Sequence, residues 1–183
     1  SARTVAPSAK PLTVGFVGAL SQRKGARYLL GALAALPKGS AKLVLYTRAA
    51  VDRDLLRGFE SVDIEIKGGL SDVQLAADLK RCDLVALPSI AEGFGLVILE
   101  AMACGLPCVS YDCKVGPSEI IHDGIDGILI PVGDETAFAA AMLRLAMDES
   151  ERRRLAENCP AILGRLSEDA IQPLWAKVLS AKR

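Results

Sequence analysis

Leu84-Val85-Ala86-Leu87-Pro88-Ser89-Ile90-Ala91-Glu92-Gly93-Phe94-Gly95-Leu96-Val97-Ile98-Leu99-Glu100-Ala101-Met102-Ala103 carries two different hydrophobic patterns joined by a glycine-rich turn. With Asp83 before it, the first part is a short apolar run closed by Pro88, which predicts a buried strand. The part from Leu96 is apolar nearly all round, which predicts a helix sunk in a core. Gly93 and Gly95 flank Phe94 between the two. That spacing suits a tight loop entering a helix N-terminus, where backbone N–H groups bind anions such as phosphate. Glu100 stands in the middle of the apolar helix. Because an unpaired buried carboxylate is very costly, Glu100 either pairs with a buried Arg or Lys or borders a wet cleft. Glu92 lies eight residues earlier, at the loop. The helical rise puts the two acids about 8–12 Å apart. Two acids around an anion-binding turn suit a polyhydroxylated, phosphorylated ligand. A structural ion-pair network around Glu100 is the competing reading.

Outward from this stretch, strand and helix patterns alternate. Leu12–Val17, Lys42–Tyr46 and Val62–Ile66 read as strands before it, and Pro107–Ser110 and Gly127–Pro131 as strands after it. Helices are expected over Ala26–Leu36, over Asp52–Phe59, and from Ser71, where Ser71-Asp72-Val73-Gln74 is a capping box. A short helix follows Gly116 with Pro117 at its start. Asp134 caps a helix through Met147, and Glu149–Glu157 is another, with Arg152, Arg153 and Arg154 as its solvated face. Ser167 starts a last helix, which Pro173 should kink or delay. Residues 1–11 read as a lead or linker and 12–183 as one domain. The order implies an α/β doubly wound, Rossmann-like fold: a parallel sheet with helices on both faces. Ligands in such sheets bind beyond the carboxyl ends of the strands. Two loops qualify, Gly18–Gly25 and Ser89–Gly95, and they are expected to face one another across one crevice.

The chain has 183 residues, 51% of them hydrophobic and 24% charged, with formal net charge zero. This is ordinary globular composition, and the absence of a basic bias argues against nucleic acid as a partner. No run of about 18 apolar residues suggests a membrane span. The first residue is not Met, and the chain is read as a fragment. Five cysteines, an odd number and none in a Cys-x-x-Cys pair, read as small buried thiols in a reducing cytosol rather than as disulfides or a metal site. His122 is the only histidine and reads as a helix-end residue. Asp52-Arg53-Asp54 looks like a metal motif but reads as a solvated helix start.

Leu87-Pro88-Ser89, Glu92-Gly93-Phe94-Gly95-Leu96, Glu100-Ala101-Met102-Ala103 and Gly105-Leu106-Pro107, in that order, resemble the family 4 (group 1) retaining glycosyltransferases. The turn from Val17-Gly18 to Lys24-Gly25 resembles the same family, as do Glu119-Ile120-Ile121, Asp123-Gly124 and Gly127 through Pro131. The resemblance implies the C-terminal, donor-binding half of a two-domain GT-B enzyme, with the N-terminal acceptor domain of the same polypeptide as its partner. It implies catalytic roles for Glu92, at hydroxyls of the transferred sugar, and for Lys24, at the departing diphosphate. It implies that Glu100 holds the ribose hydroxyls. Gly18 joins the binding set through the same turn, and the main chain of Gly93, Phe94, Gly95 and Leu96 faces the distal phosphate and sugar. The main chain around Ile66 and Lys67 faces the base. No metal or other cofactor is implied. The later pattern from Asp112 to Glu119 resembles lipopolysaccharide and cell-surface hexosyltransferases, which leans the donor toward a UDP-hexose and the acceptor toward a glycan or glycolipid. The implied location is cytoplasmic, with any peripheral attachment to the inner face of the plasma membrane left to the other half.

The chain departs from the family at two places. Ala19 replaces the family arginine after Gly18, removing one expected cation, for which Arg23 or Arg27 are candidate substitutes. Thr47-Arg48-Ala49-Ala50 replaces a glycine-rich turn after the second strand. Rival readings are a GT-B-like epimerase or phosphorylase and a degenerate nucleotide-sugar-binding module, the last favoured by Ala19. A dinucleotide site is disfavoured, because no Gly-x-Gly-x-x-Gly follows the first strand.

Overall fold

The computed structural model describes residues 10–180, so most of the expected lead, residues 1–9, lies outside the described residues. Six strands form one parallel sheet: β1 (Leu12–Val17), β2 (Ala41–Tyr46), β3 (Asp63–Lys67), β4 (Leu84–Leu87), β5 (Cys108–Tyr111) and β6 (Gly127–Ile130). Their spatial order is β3-β2-β1-β4-β5-β6. From β1 the chain winds outward to β3, then jumps back to β4 and winds the other way. The order therefore reverses between β1 and β4, which is where open α/β sheets hold ligands.

Parallel strands need crossovers, and right-handed crossovers in opposite directions place their helices on opposite faces. So α1 (Ala26–Ala34), between β1 and β2, covers one face. α2 (Asp72–Leu79), α3 (Leu96–Ala103) and α4 (Pro117–Ile120) cover the other. α5 (Glu135–Met147) returns to pack on α1, and the chain then crosses back through α6 (Glu149–Asn158) and α7 (Ile162–Arg165), which meets α3. Covered on both faces, β1, β2, β4 and β5 supply the core: Phe16, Leu43, Leu45, Leu84, Leu87 and Val109 are fully buried.

The caps fall where the sequence places them. Ser71 and Gln74 form the reciprocal capping box of α2, and Asp134 accepts from the Ala137 N–H at the start of α5. Three expectations need correction. Asp52–Phe59 is not a helix but a single 3-10 turn, Arg53–Leu56. Arg57 is extended and Gly58 has a φ of 85°, which ends the turn before a costly helical nucleus can propagate. α3 is not buried all round, since only Ile98, Ala101 and Met102 are buried while Leu96 and Glu100 are exposed. Arg152 is not on a solvated face. It is 7% exposed and donates to the carbonyls of Leu145 and Ala146, in the last turn of α5. A cation there complements the helix dipole, and Leu155 and Cys159, three and seven residues on, share its buried face.

α8 (Glu168–Ser180) begins where Ser167 accepts from the Ala170 N–H, so Pro173 lies inside it without delaying its start. None of its residues is buried, and Leu174, Trp175, Val178 and Leu179 are all more than half exposed. The five cysteines are free, and four of them are buried, Cys104 being the partial exception. No helix among the described residues is long and apolar enough to cross a membrane.

Candidate functional site

At the carboxyl end of β1, Gly18 takes a φ of 127° and donates to the Tyr46 carbonyl at 2.8 Å. The turn that follows is closed by Ser21, whose hydroxyl accepts from the Lys24 N–H and whose carbonyl accepts from the Ala26 N–H. Gly25 then starts α1 in the left-handed region, at φ 72°. A Cβ on Gly25 would stand 1.8 Å from the Pro88 carbonyl oxygen, so only glycine lets this turn press against the end of β4.

That close approach joins the two loops expected to share a crevice. The Ile90 N–H donates to the Arg23 carbonyl at 3.0 Å, and the Arg23 guanidinium donates to the Ala91 carbonyl at 3.0 Å. Lys24 Nζ lies 2.7 Å from Glu92 Oε1, with the two side chains only 14% and 7% exposed. Arg23 stands 3.9 Å from the other Glu92 oxygen. Of the two candidate substitutes for the absent arginine, Arg23 is therefore at the site, whereas Arg27 lies over the Phe59 ring, 5.3 Å from its centroid.

Glu92 leads through exposed Gly93 and half-buried Phe94 to Gly95, which starts α3 at φ 92° with no side-chain cap. The first N–H groups of α3 are thus left to solvent or to an anion. A second glycine holds this loop in place. A Cβ on Gly116 would stand 1.8 Å from the Phe94 carbonyl oxygen, and the Gly116 N–H is tied to the Glu119 carboxylate at 3.2 Å. Leu96 is 61% exposed on the same turn. Glu100, one turn on, is exposed and has no cation within ion-pair reach among the described residues, so it does not complete a buried pair. Partial burial pushes its carboxyl above the usual range, and the nearby Asp72 charge adds to the effect.

Asp72 also lines a hollow of about 420 Å3 at the carboxyl ends of β1, β2 and β3. Gly18, Ala19, Lys67 and Gly68 form part of its wall, and Thr47 and Arg48 another part. Lys67 lines it, but the Ile66 side chain does not. Ile66 is 51% exposed and faces a separate hollow beside Arg53, Leu56 and Arg57. Arg48 reaches from the β2 loop to the loop before α2, donating to the Leu70 carbonyl at 3.2 Å and lying 3.6 Å from Asp72. The Thr47 hydroxyl accepts from the Ala49 N–H at 3.0 Å, so a threonine turn closes the loop where the family has a glycine-rich turn. Asp72, Arg48 and Gly116 were not singled out by sequence reasoning. Asp72 was legible only as a capping-box position, and Gly116 only as a helix start.

A model of the family described as "Glycosyl transferases group 1" matches residues 11–148. The lipopolysaccharide core biosynthesis glycosyltransferase LpsE of Rhizobium meliloti is 30% identical over 181 residues, 96% of this chain and 52% of that protein. An exopolysaccharide phosphotransferase of Streptomyces coelicolor is 36% identical over 130 residues, 70% of this chain and 14% of its own length. Among solved structures, Anabaena HepE in complex with UDP superposes with a TM-score of 0.77 at 30% identity, covering 94% of this chain and 50% of that one. The chain thus spans at most about half of each of these relatives. With all six strands of its sheet inside the matched segment and its reversed strand order holding the two loops together, the chain belongs to the group 1 glycosyltransferase family.

Proposed function

We propose that this chain binds the nucleoside-diphosphate-sugar donor of a retaining glycosyltransferase. The observation that carries the reading is the meeting, on one rim, of the Lys24–Glu92 pair with the uncapped start of α3. Cleavage of a donor leaves negative charge on its diphosphate. A fixed ammonium and a helix N-terminus stabilise that charge without a metal, which is electrostatic catalysis. Glu92 is assigned to hydroxyls of the transferred sugar, and Glu100 to the ribose hydroxyls, because an ionised carboxylate accepts from vicinal hydroxyls. The main chain of Gly93, Phe94, Gly95 and Leu96 is assigned to the distal phosphate. The base is assigned to the hollow beside Gly18 and Lys67, next to Ile66 in the chain. Among the described residues no three His, Cys, Asp or Glu side chains group as a metal site would need.

A UDP-hexose is the proposed donor, supported by the UDP in the HepE complex. Surface glycan or lipopolysaccharide assembly is the proposed setting, supported by the likeness to LpsE. The acceptor, a glycan or glycolipid, and the cytoplasmic location follow from the family resemblance. The cleft is completed by an acceptor domain of the same polypeptide, which the exposed apolar face of α8 is suited to meet.

Ala19 favours a second reading, a module that binds the donor but has lost transfer. Arg23, beside Glu92, weakens it by supplying a second cation at the rim. Calorimetric titration with UDP, GDP, ADP and their hexose conjugates, with Glu100→Ala beside the natural chain, tests the proposal. Saturable binding of one nucleotide, lost in the variant, is expected. Binding of none, or binding indifferent to Glu100, would refute it.

A further inference from the structure

A further hollow shares this rim and has no residue in common with the hollow proposed for the base. It measures about 460 Å3, inside the range of roughly 300–1,000 Å3 typical of small-ligand clefts. Gln22, from the turn that carries Lys24, forms one side, and Ile90, from the loop that carries Glu92, forms another. Arg27, Tyr28 and Gly31 of α1, Phe59, and Glu135 of α5 form most of the remaining wall.

Gly31 is the telling residue. It sits in the middle of a helix, where only proline is less favoured than glycine. Its φ is not positive, and no atom lies within 4 Å of where a Cβ would stand. Neither backbone conformation nor packing calls for glycine here. What the absent side chain does is deepen the hollow. Tyr28 stands one turn earlier on the same face, its ring held edge-on by Tyr111 at 5.5 Å. The Gln22 amide, the Tyr28 hydroxyl and the Glu135 carboxylate have no hydrogen-bond or ion-pair partner among the described residues. An amide, a phenol and a carboxylate that converge uncommitted on one cavity both donate and accept, as vicinal sugar hydroxyls do. The aromatic ring and Ile90 offer an apolar surface for the C–H face of a pyranose. A phosphate is less suited than a sugar, because the Glu135 carboxylate repels it and Arg27, the cation in the wall, lies over the Phe59 ring.

We propose that this hollow is a glycan subsite that seats one hexopyranose unit beside the loops carrying Lys24 and Glu92. The subsite does not rest on the donor-binding reading. The test follows backbone amide shifts of the 15N-labelled chain during titration with the methyl α-glycosides of glucose, galactose, mannose and N-acetylglucosamine, with UDP titrated into the same samples. At least one glycoside is expected to give saturable shifts centred on Gln22, Tyr28, Gly31 and Glu135. Gly31→Leu, which fills the hollow with a better helix former, should weaken that binding by about tenfold or more and leave UDP affinity within about twofold. Tyr28→Phe, which removes a hydroxyl without changing volume, should weaken it as well, so the test survives if the leucine variant unfolds. No saturable shift at the hollow, shifts confined to the nucleotide cavity, or shifts indifferent to both substitutions would overturn the proposal. If UDP does not bind the natural chain while the glycoside shifts persist, the donor reading falls and the subsite stands.

Discussion

Replacing Gly25 by alanine tests whether the meeting of the two loops depends on a missing methyl group. Two costs are expected. Gly25 has a φ of 72°, and a left-handed conformation costs an L-residue about 1–2 kcal/mol. The new Cβ would also sit 1.8 Å from the Pro88 carbonyl oxygen, a backbone atom that moves only with β4. Forcing such a shift costs about 1–3 kcal/mol more, giving a total of about 2–5 kcal/mol. Gly39 is the matched control: its φ is 77°, but nothing lies within 4 Å of its Cβ position, so it should lose only the backbone part. For a domain of this size the losses correspond to a fall in melting temperature of roughly 10 °C for Gly25→Ala and roughly 4 °C for Gly39→Ala. Thermal unfolding followed by far-ultraviolet circular dichroism reads both. Because the shift also pulls Lys24 away from Glu92, only Gly25→Ala should weaken nucleotide binding. Equal losses in the two variants would refute the reasoning.

The Glu100 carboxyl is raised by burial and by Asp72, and its ionised form, an acceptor at both oxygens, binds vicinal ribose hydroxyls more strongly than the protonated form. Nucleotide affinity should therefore fall with decreasing pH about a midpoint above the ordinary carboxylate value of 4.5, and Asp72→Asn should move that midpoint part of the way back. A midpoint at or below 4.5 would count against this account. Lys24→Met leaves the Glu92 side chain, 7% exposed, with only Arg23 nearby. Breaking a buried pair costs about 3–5 kcal/mol, and the open rim and Arg23 should reduce this to about 1–3 kcal/mol in urea titration, with most of it regained in Lys24→Met/Glu92→Gln. Arg48→Ala should weaken uridine and UDP by similar factors and leave pyrophosphate unchanged in calorimetry, because Arg48 borders the proposed base hollow. A loss seen only with the diphosphates would place it at the phosphates instead.

The fold was legible because the strands between Leu12 and Ile130 carry apolar runs or, in β3, a two-residue alternation, and α2 and α5 carry side-chain caps that the structure uses. Ser71, Gln74 and Asp134 all make their expected bonds. One misreading is local, since Arg57 and Gly58 cut the expected Asp52–Phe59 helix short, and the other two share one cause, tertiary placement. Arg152 looks solvated among Arg153 and Arg154 until α5 ends beside it. The segment from Leu96 looks buried all round until its Leu96 and Glu100 face is found exposed. At the site, the sequence pointed to the Lys24 and Glu92 loops because both are glycine-marked turns after strands. It could not point to Arg48 or Asp72, whose neighbours come from different strands. Ile66 shows the limit of a main-chain assignment: its side chain alternates away from the hollow that its neighbour Lys67 lines.

The chain has one tryptophan, Trp175, and it sits 61% exposed on α8, a helix with no buried residue. Proline in a helix interior removes a hydrogen bond, and Pro173 does so two residues earlier. Such a segment opens at low free energy, independently of the sheet. Intrinsic tryptophan fluorescence of this chain therefore reports the fraying of its last helix and not the loss of its core. An unfolding curve recorded by emission should precede the one recorded by backbone ellipticity, and a two-state fit to the fluorescence alone would understate the stability of the domain.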